Sequence, residues 1–146
     1  MRYTRGNDDT DTLIAVKHAL SEDFDELIIV CALGGRMDHT YANIQAAHYA
    51  ARKDVTVRIC DTDEEILVFS NSKVSIPRRD NASLSVFALD NRCEGVCIRG
   101  TKYELSDAVL YNTFPVGVSN EFRGKKAAIS VRKGSLMVIM SNFRTS

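Results

Sequence analysis

Three short stretches of this 146-residue chain hold residue types suited to phosphate, metal or a small polar ligand. The sharpest is Leu33-Gly34-Gly35-Arg36-Met37-Asp38-His39-Thr40-Tyr41-Ala42-Asn43-Ile44, between an apolar run and a helical pattern. Two glycines there let backbone approach a ligand closely and leave N–H groups for an anion. Arg36 can clamp a phosphate with paired donors. Asp38 can ligate Mg2+ or hold a hydroxyl. The competing reading is a tight turn with an aspartate helix cap and a solvated arginine. The second stretch, Asn7-Asp8-Asp9-Thr10-Asp11, sets three carboxylates in four residues. They repel one another unless a cation or a helix N-terminus compensates, so metal–polyphosphate binding and a plain helix start both fit. The third, Gly117-Val118-Ser119-Asn120-Glu121, offers a hydroxyl and an amide to the polar edge of a heterocycle, or is a loop between strands. His18, His39 and His48 are isolated, and no Ser–His or Cys–His pair is indicated.

The elements that must position these residues differ between the two halves. Apolar residues at 13, 16 and 20 give Thr10–Leu20 a helical period. Leu27 to Leu33 is a continuous apolar run that reads as a strand buried on both faces, as in parallel sheets. The glycine pair breaks it, Asp38 is placed to cap the next helix, and that helix runs to about Lys53. Val55–Cys60 and Glu65–Ser70 read as strands, which makes a βαβ unit with a right-handed crossover. The chain is expected to open directly on its first helix. In an open α/β sheet, ligands bind outside the carboxyl ends of strands, where both acidic helix starts would lie. Beyond Asn71 no helical period survives. Lys73–Ile76, Ser83–Leu89, Gly95–Arg99, Ala127–Arg132 and Ser135–Met140 alternate instead, and Lys133-Gly134 reads as a two-residue hairpin turn. Short strands with regular turns imply a β-sandwich or partial barrel. The expected boundary divides residues 1–71 from 72–146.

Composition excludes several classes. With 45% apolar and 26% charged residues, eight Gly and two Pro, the chain is neither disordered nor low-complexity. No apolar run approaches the roughly 18 residues of a membrane span. The first six residues carry no apolar stretch, so no secretory signal is expected. The zero net charge hides an asymmetry: residues 1–72 hold 7 basic and 13 acidic side chains, residues 73–146 hold 12 and 6. The basic half is sparse and nearly free of clusters, so nucleic acid is not an expected partner. Cys31, Cys60, Cys93 and Cys97 lack zinc-ligand spacing and read as free thiols of a reduced cytosolic protein.

Taken together, these stretches resemble the thiamine pyrophosphokinase family. The run at 33–44 is similar to that family's most distinctive motif. Residues 7–12, with Asn7 where the family often has Lys, resemble its acidic helix start. Gly100-Thr101-Lys102-Tyr103-Glu104-Leu105 resembles its Gly-x-x-Tyr/Trp-x-Leu segment, Ser119-Asn120-Glu121 its Ser-Asn loop, and Gly134-Ser135-Leu136 its closing hairpin. The resemblance implies a Rossmann-like α/β catalytic domain followed by a β-sandwich thiamine-binding domain. It implies diphosphate transfer from ATP to the thiamine hydroxyl with Mg2+, in a cytoplasmic homodimer whose thiamine pocket is shared between subunits. By position it gives Asp8, Asp11 and Asp38 to the metal, and Asp38, Arg36 and Asp11 to catalysis. Gly34, Gly35 and Arg36 go to the phosphates, and Ser119, Asn120 and Asn43 to the substrate. The family also carries strands and a Gly-Asp-x-Asp-Ser segment ahead of the acidic helix, where this sequence has only Met1 to Gly6. The expectation is therefore the C-terminal part of the catalytic domain, with a non-catalytic thiamine-binding fragment as the alternative.

Overall fold

The structure is a computed structural model that describes residues 2–5, 9–31, 33 and 35–143, with side chains from residue 12 onward. The chain divides into two units, Met1–Phe69 and Ser70–Ser146.

The first unit runs β1 (Arg2–Arg5), α1 (Asp9–Ser21), β2 (Glu26–Val30), α2 (Met37–Ala51), β3 (Thr56–Cys60) and β4 (Glu64–Ser70), whose last residue opens the second unit. The strands lie in the order β1-β2-β3-β4. β1 and β2 pair in parallel, with Arg5 opposite Val30. β2 and β3 also pair in parallel, with Val30 opposite Cys60, and β4 returns antiparallel. Both crossovers step the same way across the sheet, so their right-handedness sets α1 and α2 on one face, where they pack together. Leu27, Ile29, Val57 and Ile59 point to that face and are buried with Val16, Ala19, Ala47 and Ala50.

Two expectations are corrected here. The chain does not open on a helix: β1 precedes it. Arg2-Tyr3-Thr4-Arg5 shows no apolar alternation because it is a four-residue strand with a basic residue at each end, a composition that suits a sheet edge. Nor is β2 buried on both faces. Its burial alternates, and Ile28 and Val30 are half-buried. On their side Arg58 spans two carboxylates, 3.1 Å from Glu26 and 2.9 Å from Glu65. A continuous apolar run therefore does not require two buried faces when the neighbouring strand answers it with a charge ladder.

The second unit is antiparallel throughout. It contains β5 (Lys73–Pro77), β6 (Ala82–Ala88), β7 (Cys93–Arg99), β8 (Leu105–Leu110), β9 (Gly117–Glu121), β10 (Lys126–Ser130) and β11 (Ser135–Asn142). One layer is β5-β10-β7-β8, and in the other β11, β6 and β9 pair in that order. Leu84, Val86, Leu136, Val138 and Met140 from one layer and Val96, Ile98, Ala127 and Ile129 from the other are buried. The expected fold class, α/β followed by a β-sandwich, is the one observed. β8 and β9 were not expected as strands. Lys133-Gly134 is not a hairpin turn either: β10 and β11 belong to different layers. Alternation in two neighbouring runs reports one buried face each, not that the runs pair. The connection is a corner held by Arg132 N–H to Glu94 O (3.0 Å) and Glu94 N–H to Lys133 O (2.8 Å). No helix among the described residues is long and apolar enough to cross a membrane.

Gly134 is the tightest point of that corner. Its φ is +127°, and an added Cβ would meet Cys93 Sγ at 2.7 Å. Gly134→Ala should therefore cost roughly 1–3 kcal/mol, the range for one residue forced into a sparse backbone region. The readout is a lower urea midpoint at unchanged slope; an unchanged midpoint would show that the corner yields.

Candidate active site

At the carboxyl ends of β2 and β3 the parallel ladder continues one step further, with Cys31 N–H donating to Cys60 O at 3.2 Å. Burial pushes the Cys31 thiol up, with Asp61 and Cys60 adding, so it stays protonated at neutral pH. Leu33 N–H donates to Asp61 Oδ2 at 2.9 Å. Thr62 N–H donates to Asp61 Oδ1 at 2.7 Å. These two amides, Leu33 first, hold the Asp61 carboxyl below its ordinary value.

Arg36 is the N-cap residue of α2, with extended backbone (φ −118°, ψ 119°) and no side-chain cap. Thr40 N–H donates to Arg36 O and closes the first turn. Asp38 was expected to cap this helix. It lies inside the first turn instead, because the helix starts at Met37. Its Oδ2 accepts from Arg36 Nη2 at 2.8 Å and its Oδ1 from His39 N–H at 2.9 Å. Both side chains remain about two-thirds exposed, at 67% and 65%. The Arg36 hydrogen bond, helped by His39 N–H, holds the Asp38 carboxyl below its ordinary value. The pair thus presents an ionised carboxylate and a guanidinium, much of whose donor surface still faces solvent. Gly35 is exposed, and a Cβ there would meet nothing within 4 Å. Packing does not demand glycine at that position; close approach of a ligand would.

The remaining residues singled out in this unit are placed as follows. Gly34 and Asp8 lie outside the described residues. Asp11 lies in the first turn of α1, on backbone alone. Because β1 and β2 are parallel, the starts of α1 and α2 follow the same edge of the sheet. Asn43 is buried on α2. Its Nδ2 lies 3.9 Å from Cys31 Sγ, and its Oδ1 has no partner. Among the described residues no group of three His, Cys, Asp or Glu could hold a metal ion. Of the residues assigned to the metal, Asp38 is the one whose side chain is described, an exposed carboxylate held ionised and of the kind Mg2+ takes.

In the second unit, Ser119 and Asn120 lie on β9 rather than in a loop. Ser119 has φ +59°, and its N–H donates to Ser85 Oγ at 2.9 Å, where the β6–β9 register slips. That bulge turns the exposed Ser119 out of the regular ladder. Asn120 is buried and mostly occupied. Its Oδ1 accepts from Tyr103 N–H and Glu121 N–H, both at 3.0 Å, and its Nδ2 donates to Tyr103 O at 2.7 Å. The amide therefore clamps the backbone of Tyr103, a residue 64% exposed with Lys102 Nζ 5.4 Å from its ring centroid. Asp61 and Tyr103 were not singled out as site residues. An aspartate directly after a strand end was the available signal for the first.

Residues 1–59 match the model of the thiamin pyrophosphokinase catalytic domain, and residues 71–136 match that of the thiamin pyrophosphokinase vitamin B1 binding domain. The chain belongs to the thiamine pyrophosphokinase family. It is similar to the thiamine pyrophosphokinase of Bacillus subtilis (strain 168), 26% identical over 140 residues, covering 95% of this chain and 65% of that one. The crystal structure of the Bacillus subtilis protein superposes with a TM-score of 0.80 at 24% identity, over 90% of this chain and 62% of that one. A thiamin pyrophosphokinase family protein from Enterococcus faecalis superposes at 0.71 with 29% identity, over 95% of this chain and 66% of that one. The chain thus spans just under two thirds of the Bacillus subtilis relative.

Two outcomes are expected from this geometry. Asp38 should titrate below an ordinary aspartate by NMR and rise toward the ordinary value in Arg36→Ala. A depressed carboxyl contributes stability above its unfolded value and loses it as pH falls through its folded one, so the pair is intact at neutral pH. Asn120→Ala should cost roughly 1–3 kcal/mol by thermal unfolding, since the Tyr103 N–H loses its acceptor and Tyr103 O keeps only the Thr101 hydroxyl. Asn120→Asp, which sets a buried carboxylate oxygen against Tyr103 O, should cost at least as much.

Proposed function

We propose that this chain transfers diphosphate from ATP to the hydroxyl of thiamine, releasing AMP. The observation that carries the reading is the Arg36–Asp38 pair, an ionised carboxylate and an open guanidinium on the first turn of a helix that follows a strand end. The thiamine hydroxyl oxygen bonds to the β-phosphorus, the bond from that phosphorus to the α–β bridging oxygen breaks, and AMP leaves with that oxygen. The hydroxyl proton passes toward the carboxylate that orients it, the role assigned to Asp38. Charge builds on phosphoryl oxygens, so positioned donors do most of the work. Arg36 and the amides of Gly34 and Gly35 would supply them. Asp8, Asp11 and Asp38 would hold Mg2+, which neutralises polyphosphate charge when bound. Ser119, Asn120 and Asn43 are assigned to thiamine. Asn120 would act through the segment at Tyr103 and through its remaining amide hydrogen. A homodimer in the cytoplasm belongs to the same reading, because the resemblance that motivates it carries both.

The test is an incubation with ATP, Mg2+ and thiamine, analysed for AMP and thiamine diphosphate together. The reading predicts equal amounts of both, and a loss of roughly 10²–10³-fold in Arg36→Ala, the scale for removing one donor to developing charge. Asp38→Asn should abolish both products. Thiamine binding without AMP release would instead support a binding module without turnover.

A further inference from the structure

We infer that Asp61 is a positioning residue that fixes the chain at Leu33, where it enters the stretch that leads to Gly35 and Arg36. The inference rests on the phosphate reading of that loop given above. Asp61 itself stands on a fixed base: it follows the last residue of β3, and its N–H donates to Glu64 O at 2.9 Å, closing the turn into β4. From there its carboxylate reaches across to the neighbouring strand end and accepts the Leu33 amide at 2.9 Å, 28 residues away in sequence. At its far end the loop is fixed by α2, through the Thr40 to Arg36 hydrogen bond. Between these anchors stand two glycines, which have no side chains to hold them. Asp61 thus reaches the backbone at the loop's entry from another element.

A carboxylate beside a polyphosphate site makes the sign of its effect informative. If charge ruled, Asp61 would repel the polyphosphate, and removing it would tighten binding. If backbone order rules, removing it frees the chain at Leu33, binding must then order it again, and affinity falls. The two amides that Asp61 accepts satisfy part of its charge locally, which favours the second outcome.

The experiment titrates ATP with Mg2+ into the full chain by calorimetry, for the parent, Asp61→Ala and Asp61→Asn, alongside amide exchange at Leu33. Asp61→Ala should bind about tenfold more weakly, the scale of re-ordering one or two residues. Leu33 exchange should accelerate with it. Asp61→Asn removes the charge but keeps an oxygen for the Leu33 amide, so it should bind closer to the parent. That ordering separates positioning from mere destabilisation, which thermal unfolding of each variant reads independently. Parent-like or tighter binding by Asp61→Ala overturns the inference while leaving the phosphate reading intact. Should Asp61→Ala fail to fold, Asp61→Asn decides alone: parent-like affinity with Leu33 still protected supports the clamp, and faster Leu33 exchange at parent-like affinity overturns it. No ATP binding by the folded parent overturns the phosphate reading, and the inference with it.

Discussion

The parallel pairing of β1, β2 and β3 is the constraint on which the first unit depends. It sends every crossover back over the same face, so α1 and α2 share one apolar layer of Val16, Ala19, Ala47 and Ala50. It also sends every strand-to-helix junction to the same edge, so the acidic start of α1 and the glycine loop before α2 are neighbours by topology, not by sequence. Antiparallel pairing at either place would put these junctions at opposite ends and leave Arg36 and Asp38 without the rest of the acidic edge. The Asp61–Leu33 hydrogen bond depends on the same register, since it joins the residue that follows β3 to the chain just past the end of β2.

The second unit solves a different problem. Its layers bury one face of each strand, and the chain changes layer at corners such as residues 131–134. There a backbone that only glycine adopts freely lets Gly134 pack on Cys93. What this frame offers to a ligand is a strand, β9, broken by a bulge at Ser119, with a buried amide beside it that holds an exposed tyrosine. The division of labour is physical. Asn120 is buried and mostly satisfied, so its main effect reaches the surface through Tyr103; Ser119 is exposed and reaches it directly.

Where period and burial coincided, elements were legible in the sequence. Both helices and the strands Glu64–Ser70, Ala82–Ala88 and Ser135–Asn142 fall within one or two residues of their expected spans. β1 escaped because a short edge strand carries no apolar alternation. β8 and β9 escaped because they are mostly exposed, and Ser, Asn and Gly on β9 read as turn residues. The hairpin at 133–134 was misread because alternation says which residues are buried and nothing about the partner strand. At the site, Arg36 and Asp38 were legible because a glycine pair between an apolar run and a helix is a local signal. Asp61 was not, because its meaning comes from a neighbouring strand end 28 residues away. Asn120 was legible as a polar side chain, but its engagement with Tyr103 depends on how β7, β8 and β9 fold.

The central claim is that the ends of β2 and β3 form the phosphate site, and it is most directly tested by amide chemical-shift mapping. ATP with Mg2+ is titrated into the labelled chain, and the shifted amides are located. The account predicts that shifts concentrate at residues 33–38 and 61–62 and on the first turn of α1. Shifts confined to the outer groove between the two helices, around Lys17 and Tyr49, would contradict it.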